Sequence, residues 1–354
     1  MIKYGEKLHD LLYSSRLKSA LIEQHKKWFD YENETIKSDF SEKIVCPVCG
    51  ADSANTKFKK DLFQFSQCRK CSMVYLNPRL NLRATYDFYN EGWTAIYNET
   101  KFLGETPSTQ MDDQINAYNL RLIEERREPS STGKGVLLEI GFGSGFFLRT
   151  ASAAGYEVHG IDVDTNNCER ARKKFGERIR NADLFDAKFE SERFDVVYMR
   201  DVFEHVPNPK ILLEEVRRIL KPRGVIFIEV PNIEALVYKI VKERHVCVFG
   251  FAHLNYWSPK TLTKILGKTE FEVLGFHHES VDFTILSVAN YFLNSAFTTI
   301  LPIPTGFFKR TIAWIAAKVF SRGGFRQLDA KFSPKISDSL GRGSEIKVIA
   351  RKLR

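Results

Sequence analysis

Val136-Leu137-Leu138-Glu139-Ile140-Gly141-Phe142-Gly143-Ser144-Gly145 is a run of buried-strand character that passes directly into three glycines at alternate positions. A glycine turn between a strand and a helix lets backbone N–H groups approach a ligand, because no Cβ intervenes. The spacing of Gly141, Gly143 and Gly145 differs from the Gly-x-Gly-x-x-Gly that cradles a pyrophosphate. Glu139, two residues ahead, favours a ligand that carries positive charge.

Outward from this turn the chain alternates as a parallel sheet requires. A helix to about Ala154 is followed by a strand at Tyr156–Ile161, the helix Asn167–Phe175 and a short strand near Ile179. Further strands are expected at Phe194–Met199, Val225–Val230, Phe271–Phe276 and Glu345–Ala350, with a helix from about Ile211 to Leu220. Asp162 ends the second strand, where acidic residues of nucleotide-binding units accept hydrogen bonds from ribose hydroxyls. Asp183 follows the third, within reach of an exocyclic adenine amine.

Leu138–Gly145, Gly160-Ile161-Asp162, Phe194-Asp195-Val196-Val197, Glu204-His205-Val206 and Leu220-Lys221-Pro222-Arg223-Gly224 together resemble the class I S-adenosylmethionine-dependent methyltransferases. The resemblance covers about residues 135–280 plus the final strand, and Arg223 stands where that family's turn carries glycine. It implies a seven-stranded, doubly wound, Rossmann-like α/β sheet with the last strand antiparallel. It also implies S-adenosylmethionine as cofactor, with Glu139, Gly141, Gly143, Gly145, Asp162 and Asp183 around it. The competing reading is a dinucleotide-binding fold built on the same turn.

Methyl transfer is an in-line displacement, and a hydroxyl acceptor also benefits from a general base. Asp201, Glu204 and His205 stand at i, i+3 and i+4, which on a helix is one face. His205 is the candidate base. The same trio suits a divalent cation, and a similar acidic-x-x-Glu-His pattern occurs in ubiquinone-pathway O-methyltransferases. A packing role without chemistry is the third reading. His253, in an aromatic loop after the fifth strand, either orients the acceptor or packs. His277 and His278 alternate along a strand, and Cys168 and Cys247 lack partners at ligand spacing; none of these four is given a role.

Cys46, Cys49, Cys68 and Cys71 form Cys-x2-Cys-x18-Cys-x2-Cys, the spacing of two knuckles that present four thiolates to a structural zinc ion. A four-cysteine segment ahead of such a core is similar to that of bacterial sugar and surface-polysaccharide methyltransferases. Some ribosomal-RNA methyltransferases also carry an N-terminal zinc site, and Lys57, Lys59, Lys60, Arg69 and Lys70 lie beside this one.

The chain has 354 residues, 43% hydrophobic and 27% charged, which excludes a disordered or fibrous class. Its net charge of +9 is matched by residues 309–354 alone, with 12 basic and 3 acidic side chains. A core without that excess argues against a general polyanion binder. The expected organisation is an N-terminal helical segment at 1–43, a zinc ribbon at 44–78, a helical lid or linker at 79–134 and the catalytic core at 135–280. An apolar and basic insertion at 281–343 and the final core strand at 344–354 complete it. Phe283–Phe308 holds no charged side chain, and the basic flank after it suits either a lid or attachment to an anionic membrane surface. With no export signal at Met1–Lys7, a cytoplasmic location is expected, peripheral at the inner membrane face if that surface is used. The acceptor expected is a sugar, glycan or lipid-linked small molecule; RNA docked by the ribbon is the alternative.

Overall fold

A computed structural model describes residues 25–60, 62–87, 110–128, 133–245, 247–250, 252–279 and 343–353. In chain order the strands are β1 Phe29–Asp30, β2 Thr35–Ile36, β3 Ser41–Glu42, β4 Ala54–Lys60, β5 Phe63–Cys68, β6 Val74–Leu76 and β7 Arg79–Leu80. After them come β8 Val136–Ile140, β9 Glu157–Asp162, β10 Ile179–Asn181, β11 Phe194–Arg200, β12 Leu220–Pro231, β13 Asn255–Tyr256, β14 Phe271–Glu279 and β15 Glu345–Lys352. The helices are α1 Leu82–Asp87, α2 Gln110–Glu124, α3 Phe146–Ala153, α4 Thr165–Phe175, α5 Pro209–Ile219, α6 Leu236–Val241 and α7 Pro259–Lys268.

The large sheet has seven strands in the order β10-β9-β8-β11-β12-β15-β14. Its β10, β9, β8, β11 and β12 pair in parallel, and the sheet carries one antiparallel strand. This is the parallel sheet expected from the alternating pattern and the doubly wound α/β class that the resemblance implies. Continuous apolar runs such as Val225–Ile228, buried along their whole length, suit strands covered on both faces. Leu137, Val158, Val196, Val225 and Ile349 pack under Phe147 and Leu148 of α3 and Leu120 and Ile123 of α2. Phe147 stacks on Tyr198 at 3.6 Å, and Tyr198 on Phe227 at 4.8 Å.

A second sheet, ordered β13-β6-β5-β4, belongs to the cysteine segment. Its edge strand β13 comes from far along the chain, pairing Asn255 with Tyr75 and Tyr256 with Val74. The segment is therefore stitched into the core fold. Both cysteine knuckles close alike: Gly50 N–H donates to Cys46 O at 2.8 Å, and Ser72 N–H to Cys68 O at 2.9 Å. Gly50 and Ser72 both take positive φ, 74° and 66°, right after the second cysteine of each pair.

Residues 26–43 contain no α-helix. They form the β1–β2 hairpin, a short 3-10 turn and β3, which pairs with β7. Asp30 explains the turn, since its Oδ1 accepts from the N–H groups of Glu32 and Asn33 at 3.0 and 3.1 Å. The leucine spacing that suggested a helix falls at 1–24, outside the described residues. So does the insertion at 281–342. Among the described residues no helix is long and apolar enough to cross a membrane.

Two compact units divide the chain: Met1–Pro231 with Phe249–Phe276 and Lys347–Arg354, and Asn232–Val248 with His277–Ile346. In the second, Asn232 donates from its backbone to Ser344 O at 2.8 Å and from Nδ2 to Gly343 O at 3.0 Å. There α6 follows Ala235, and Ala235 and Val237 are buried. Every candidate site residue named from the sequence lies in the first unit.

Gly160 on β9 passes directly beneath the glycine turn. A Cβ there would meet Phe142, Ile179 and Leu148 at 2.9–3.0 Å. Gly160→Ala is expected to destabilise the protein by about 1–3 kcal/mol through overpacking, read as a lowered urea midpoint at unchanged m-value. An unchanged midpoint would show that the turn is looser than these distances imply.

Candidate active site and cysteine centre

Gly141, Gly143 and Gly145 all adopt positive φ, 69°, 53° and 69°. The first is required sterically, because a Cβ would come within 2.5 Å of Val202 Cγ2 in the loop after β11. At Gly143 a Cβ would meet nothing within 4 Å, so the turn leaves open space above itself. Gly145 is the N-cap of α3 and contributes no side-chain hydrogen bond. Asp162 closes the turn from the neighbouring strand: Oδ2 accepts from Gly143 N–H and Oδ1 from Asp164 N–H, both at 2.8 Å. Burial pushes its carboxyl up, and those two N–H groups oppose the shift. Asp183 Oδ1 accepts from Phe185 and Asp186 N–H at 2.9 and 2.8 Å, so at least one of its oxygens shapes its own loop.

Glu139 is buried, and its Oε2 has no hydrogen-bond partner among the described residues. Desolvation raises its pKa well above the ordinary carboxyl value, with the Leu148 N–H and the charge of Arg200 opposing. An orphaned buried carboxylate oxygen beside an open glycine turn fits a cationic group.

Glu139 is the first member of a polar row beneath α2. Register places Tyr198 opposite Glu139 and Arg200 opposite Glu229, so the four side chains share one sheet face. Arg200 Nε lies 3.6 Å from Glu229 Oε1, and the fully buried Lys347 Nζ lies 3.9 Å from the same oxygen. Asn119 Nδ2 on α2 donates to Glu229 Oε2 at 2.8 Å and to Tyr198 OH at 3.0 Å. Burial raises the Glu229 pKa, while Arg200 and Lys347 pull it back. None of Asn119, Tyr198, Arg200, Glu229 or Lys347 was singled out from sequence, although charged residues inside apolar strand runs were the available signal.

After β11 the chain makes only a 3-10 turn, Phe203–His205, so the helix face expected for Asp201, Glu204 and His205 does not form. Asp201 takes φ 54° and its side chain is 60% exposed beside Arg200. Its place is taken by His253. Glu204, His205 and His253 offer ligand atoms that all lie within 4.8 Å of one another. His205 Nε2 and His253 Nε2 stand 3.7 and 3.9 Å from Glu204 Oε1, too far for hydrogen bonds. The imidazoles meet edge to face at 4.9 Å.

The Ala252 carbonyl, 2.9 Å from His205 Nδ1, requires that nitrogen to be the N–H donor. That fixes the tautomer and leaves Nε2 with its lone pair toward Glu204. Burial lowers the His205 pKa below 6.5 and raises that of Glu204 well above 4.5, with Asp201 adding to the latter. Glu204 Oε2 has no hydrogen-bond partner among the described residues. The two loops are clamped together: Leu254 N–H donates to Glu204 O at 2.9 Å, Asn255 Nδ2 to Val206 O at 2.8 Å, and Phe203 stacks on Trp257 at 4.7 Å.

The four cysteines converge as their spacing predicts. Sγ atoms of Cys46 and Cys71 are 3.4 Å apart and those of Cys49 and Cys68 3.5 Å, with all four within 4.8 Å. A zinc ion at about 2.3 Å from each sulfur separates them by roughly 3.8 Å, so this donor set fits zinc closely. Burial raises the thiols of Cys46 and Cys71, so an array of thiolates there needs a cation.

Residues 110–275 match the family model described as a methyltransferase domain. The ubiquinone biosynthesis O-methyltransferase of Actinobacillus pleuropneumoniae is 33% identical over 137 residues, 36% of this chain and 58% of that protein. An uncharacterized protein of Methanocaldococcus jannaschii is 29% identical over 139 residues, covering 39% of this chain and 65% of that one. This chain thus spans a little over half the length of the first of these relatives. Among solved structures, an S-adenosylmethionine-dependent methyltransferase from Archaeoglobus fulgidus aligns with 19% identity and a TM-score of 0.43, over 68% of this chain and 94% of that one. The match to the methyltransferase-domain model falls on the stretch that carries most of the seven-stranded α/β sheet.

The cysteine centre generates its own expectation. Purified protein should contain one zinc per chain, and Cys46→Ser or Cys71→Ser should lose it with increased proteolysis within 44–80. Metal-free protein with an unchanged digestion pattern would contradict the zinc assignment.

Proposed function

We propose that the protein transfers the methyl group of S-adenosylmethionine to a hydroxyl of a sugar, glycan or lipid-linked small-molecule acceptor, with His205 as general base. The observation that carries this reading is the Ala252 carbonyl on His205 Nδ1, which holds an uncharged Nε2 ready to receive a proton. The curated relative named as a ubiquinone biosynthesis O-methyltransferase supports an oxygen acceptor.

Glu139, the glycine turn and Asp162 would hold the cofactor, whose sulfonium supplies an electrophilic methyl. Glu139 Oε2 would accept from its ammonium and Asp162 would face its ribose hydroxyls. His205 would withdraw the hydroxyl proton onto Nε2 as the oxygen attacks. Glu204, buried beside it, would stabilise the imidazolium that results, and the Ala252 carbonyl keeps the ring oriented throughout. His253 and the Phe203–Trp257 stack exclude water from that side.

A second reading, a divalent cation on Glu204, His205 and His253, is favoured by the two Nε2···Oε1 gaps of 3.7 and 3.9 Å. It draws His205 through the same nitrogen, so the two readings exclude each other in one turnover. His205→Ala is expected to lower kcat by about 10²–10⁴-fold with S-adenosylhomocysteine affinity unchanged. Full activity after exhaustive chelation together with that loss supports the base; activity restored by magnesium or manganese supports the metal.

The pH dependence has a defined sign. Because burial lowers the His205 pKa, the base stays neutral as pH falls through 6.5, and the acid limb of kcat/KM should lie below that value. An acid limb at or above pH 7 would remove His205 from the role. Glu139 behaves oppositely: its pKa is raised without the cofactor, so binding a cation should release a proton. Calorimetry of S-adenosylhomocysteine binding in buffers of different ionisation enthalpy should show release that disappears in Glu139→Gln. Buffer-independent heats from pH 5 to 8 would refute that pairing.

A further inference from the structure

We infer that Arg200 receives the carboxylate of the cofactor's amino-acid end, so that Glu139 and Arg200 together read a zwitterion. The inference deepens the methyl-transfer reading and rests on it for the presence of S-adenosylmethionine. An α-amino acid carries an ammonium and a carboxylate on one carbon. A pocket specific for it needs an acidic and a basic group side by side.

The sheet supplies that pair. Tyr198 lies opposite Glu139 and Met199 opposite Ile140, which puts Arg200 level with Gly141, the first glycine of the turn. Arg200 and Glu139 fall on the same face of the sheet, and the charge of Arg200 acts on the Glu139 carboxyl. Two residues on, Val202 packs against Gly141 so closely that a Cβ there would stand 2.5 Å from Val202 Cγ2. The segment carrying Arg200 is therefore held against the turn. Immediately after it the chain leaves β11 through the positive φ of Asp201.

Charge and access decide which cation of the row can serve. Lys347 is fully buried, its Nζ 3.9 Å from Glu229 Oε1, and no ligand reaches it. The Arg200 side chain is 31% exposed, with Nε 3.6 Å from Glu229 Oε1 and 3.6 Å from Asp201 Oδ2. Both distances exceed a charge-assisted hydrogen bond. If Arg200 turns to a ligand, Glu229 keeps Lys347 and the 2.8 Å bond from Asn119 Nδ2. Asp201, well exposed, is solvated and gains little from the pair. Desolvation favours the protonated form of Glu139 until a cation arrives, so Glu139 does not claim the guanidinium either. Without Arg200, a ligand carboxylate here would face three acidic groups with only the buried Lys347 against them.

Calorimetry on the full chain with S-adenosylmethionine and decarboxylated S-adenosylmethionine tests this, because the two differ only in the carboxylate. The wild-type chain is expected to bind S-adenosylmethionine at least about tenfold more tightly, the scale of a hydrogen bond to a charged group. Arg200→Gln should erase that preference by weakening S-adenosylmethionine while the decarboxylated ligand binds at least as tightly as before. Arg200→Lys should keep part of the preference, since it retains the charge and loses the fork. The decarboxylated ligand thus reports folding in each variant. Equal affinity of the wild-type chain for the two ligands, or a preference that survives in Arg200→Gln, overturns the assignment and leaves the methyl-transfer reading standing. Equal weakening of both ligands in Arg200→Gln and in Arg200→Lys makes Arg200 a structural residue and overturns it as well. Binding of neither ligand by the wild-type chain removes the methyl-transfer reading and this inference with it.

Discussion

Three glutamates, Glu139, Glu204 and Glu229, are withdrawn from water at the carboxyl ends of neighbouring strands, and the cost of that desolvation organises the site. An isolated buried carboxylate is unfavourable by several kcal/mol, so each must be neutralised, paired or kept protonated. Each meets the constraint differently. Glu229 has Arg200, Lys347 and the Asn119 amide around it, a fully resident solution. Glu139 has a backbone N–H and a distant arginine, and one oxygen left over. Glu204 has two imidazoles beyond hydrogen-bond range and also an oxygen left over. The gradient from satisfied to unsatisfied runs from the structural end of the row toward the glycine turn and the His205 loop.

Such partial satisfaction persists only if the surrounding structure prevents collapse. Here the restraint comes from the cysteine segment. Its β6 pairs with β13, and the strand is continued by the bond from Leu76 N–H to Leu254 O at 3.1 Å. Leu254 in turn donates to Glu204 O, so the backbone of the Phe203–His205 turn is one hydrogen bond from that sheet. His253 and Ala252, which supply one imidazole and the carbonyl on the other, stand immediately before Leu254. A cysteine-rich module that looks peripheral in sequence thereby fixes the geometry of the loop carrying His205. Mutations at the knuckles should be felt as lost positioning as well as lost stability.

The strands flanking the glycine turn and the convergence of the four cysteines were legible because both depend on local spacing. Short continuous apolar runs and alternate glycines point to a buried strand and a turn, and two Cys-x2-Cys knuckles need only a hairpin between them. The Glu204, His205 and His253 group was half legible. Helical spacing pointed to Asp201 as the third member, but the chain leaves β11 through a positive φ at Asp201 and turns for only three residues. His253 replaces it by virtue of β13 pairing with β6, a long-range event that no window of sequence encodes. The same holds for the polar row, where Asn119, Tyr198, Arg200, Glu229 and Lys347 come from four elements. At residues 25–43 the apolar content was visible, but the Asx turn at Asp30 decided for a hairpin.

Glu204 and His205 also couple stability to the proton in opposite directions. The raised Glu204 pKa contributes stability that is complete below about pH 4.5 and lost as pH rises through the folded value. The lowered His205 pKa contributes stability that is present above 6.5 and lost as pH falls through its folded value. Both shifts favour the uncharged pair over an ion pair. A cation delivered to either group reverses the balance for Glu204 and costs His205 its lone pair only if that cation binds Nε2. The electrostatics of the site are therefore compatible with a base and with a metal ligand, because both roles draw on the same uncharged Nε2 of His205.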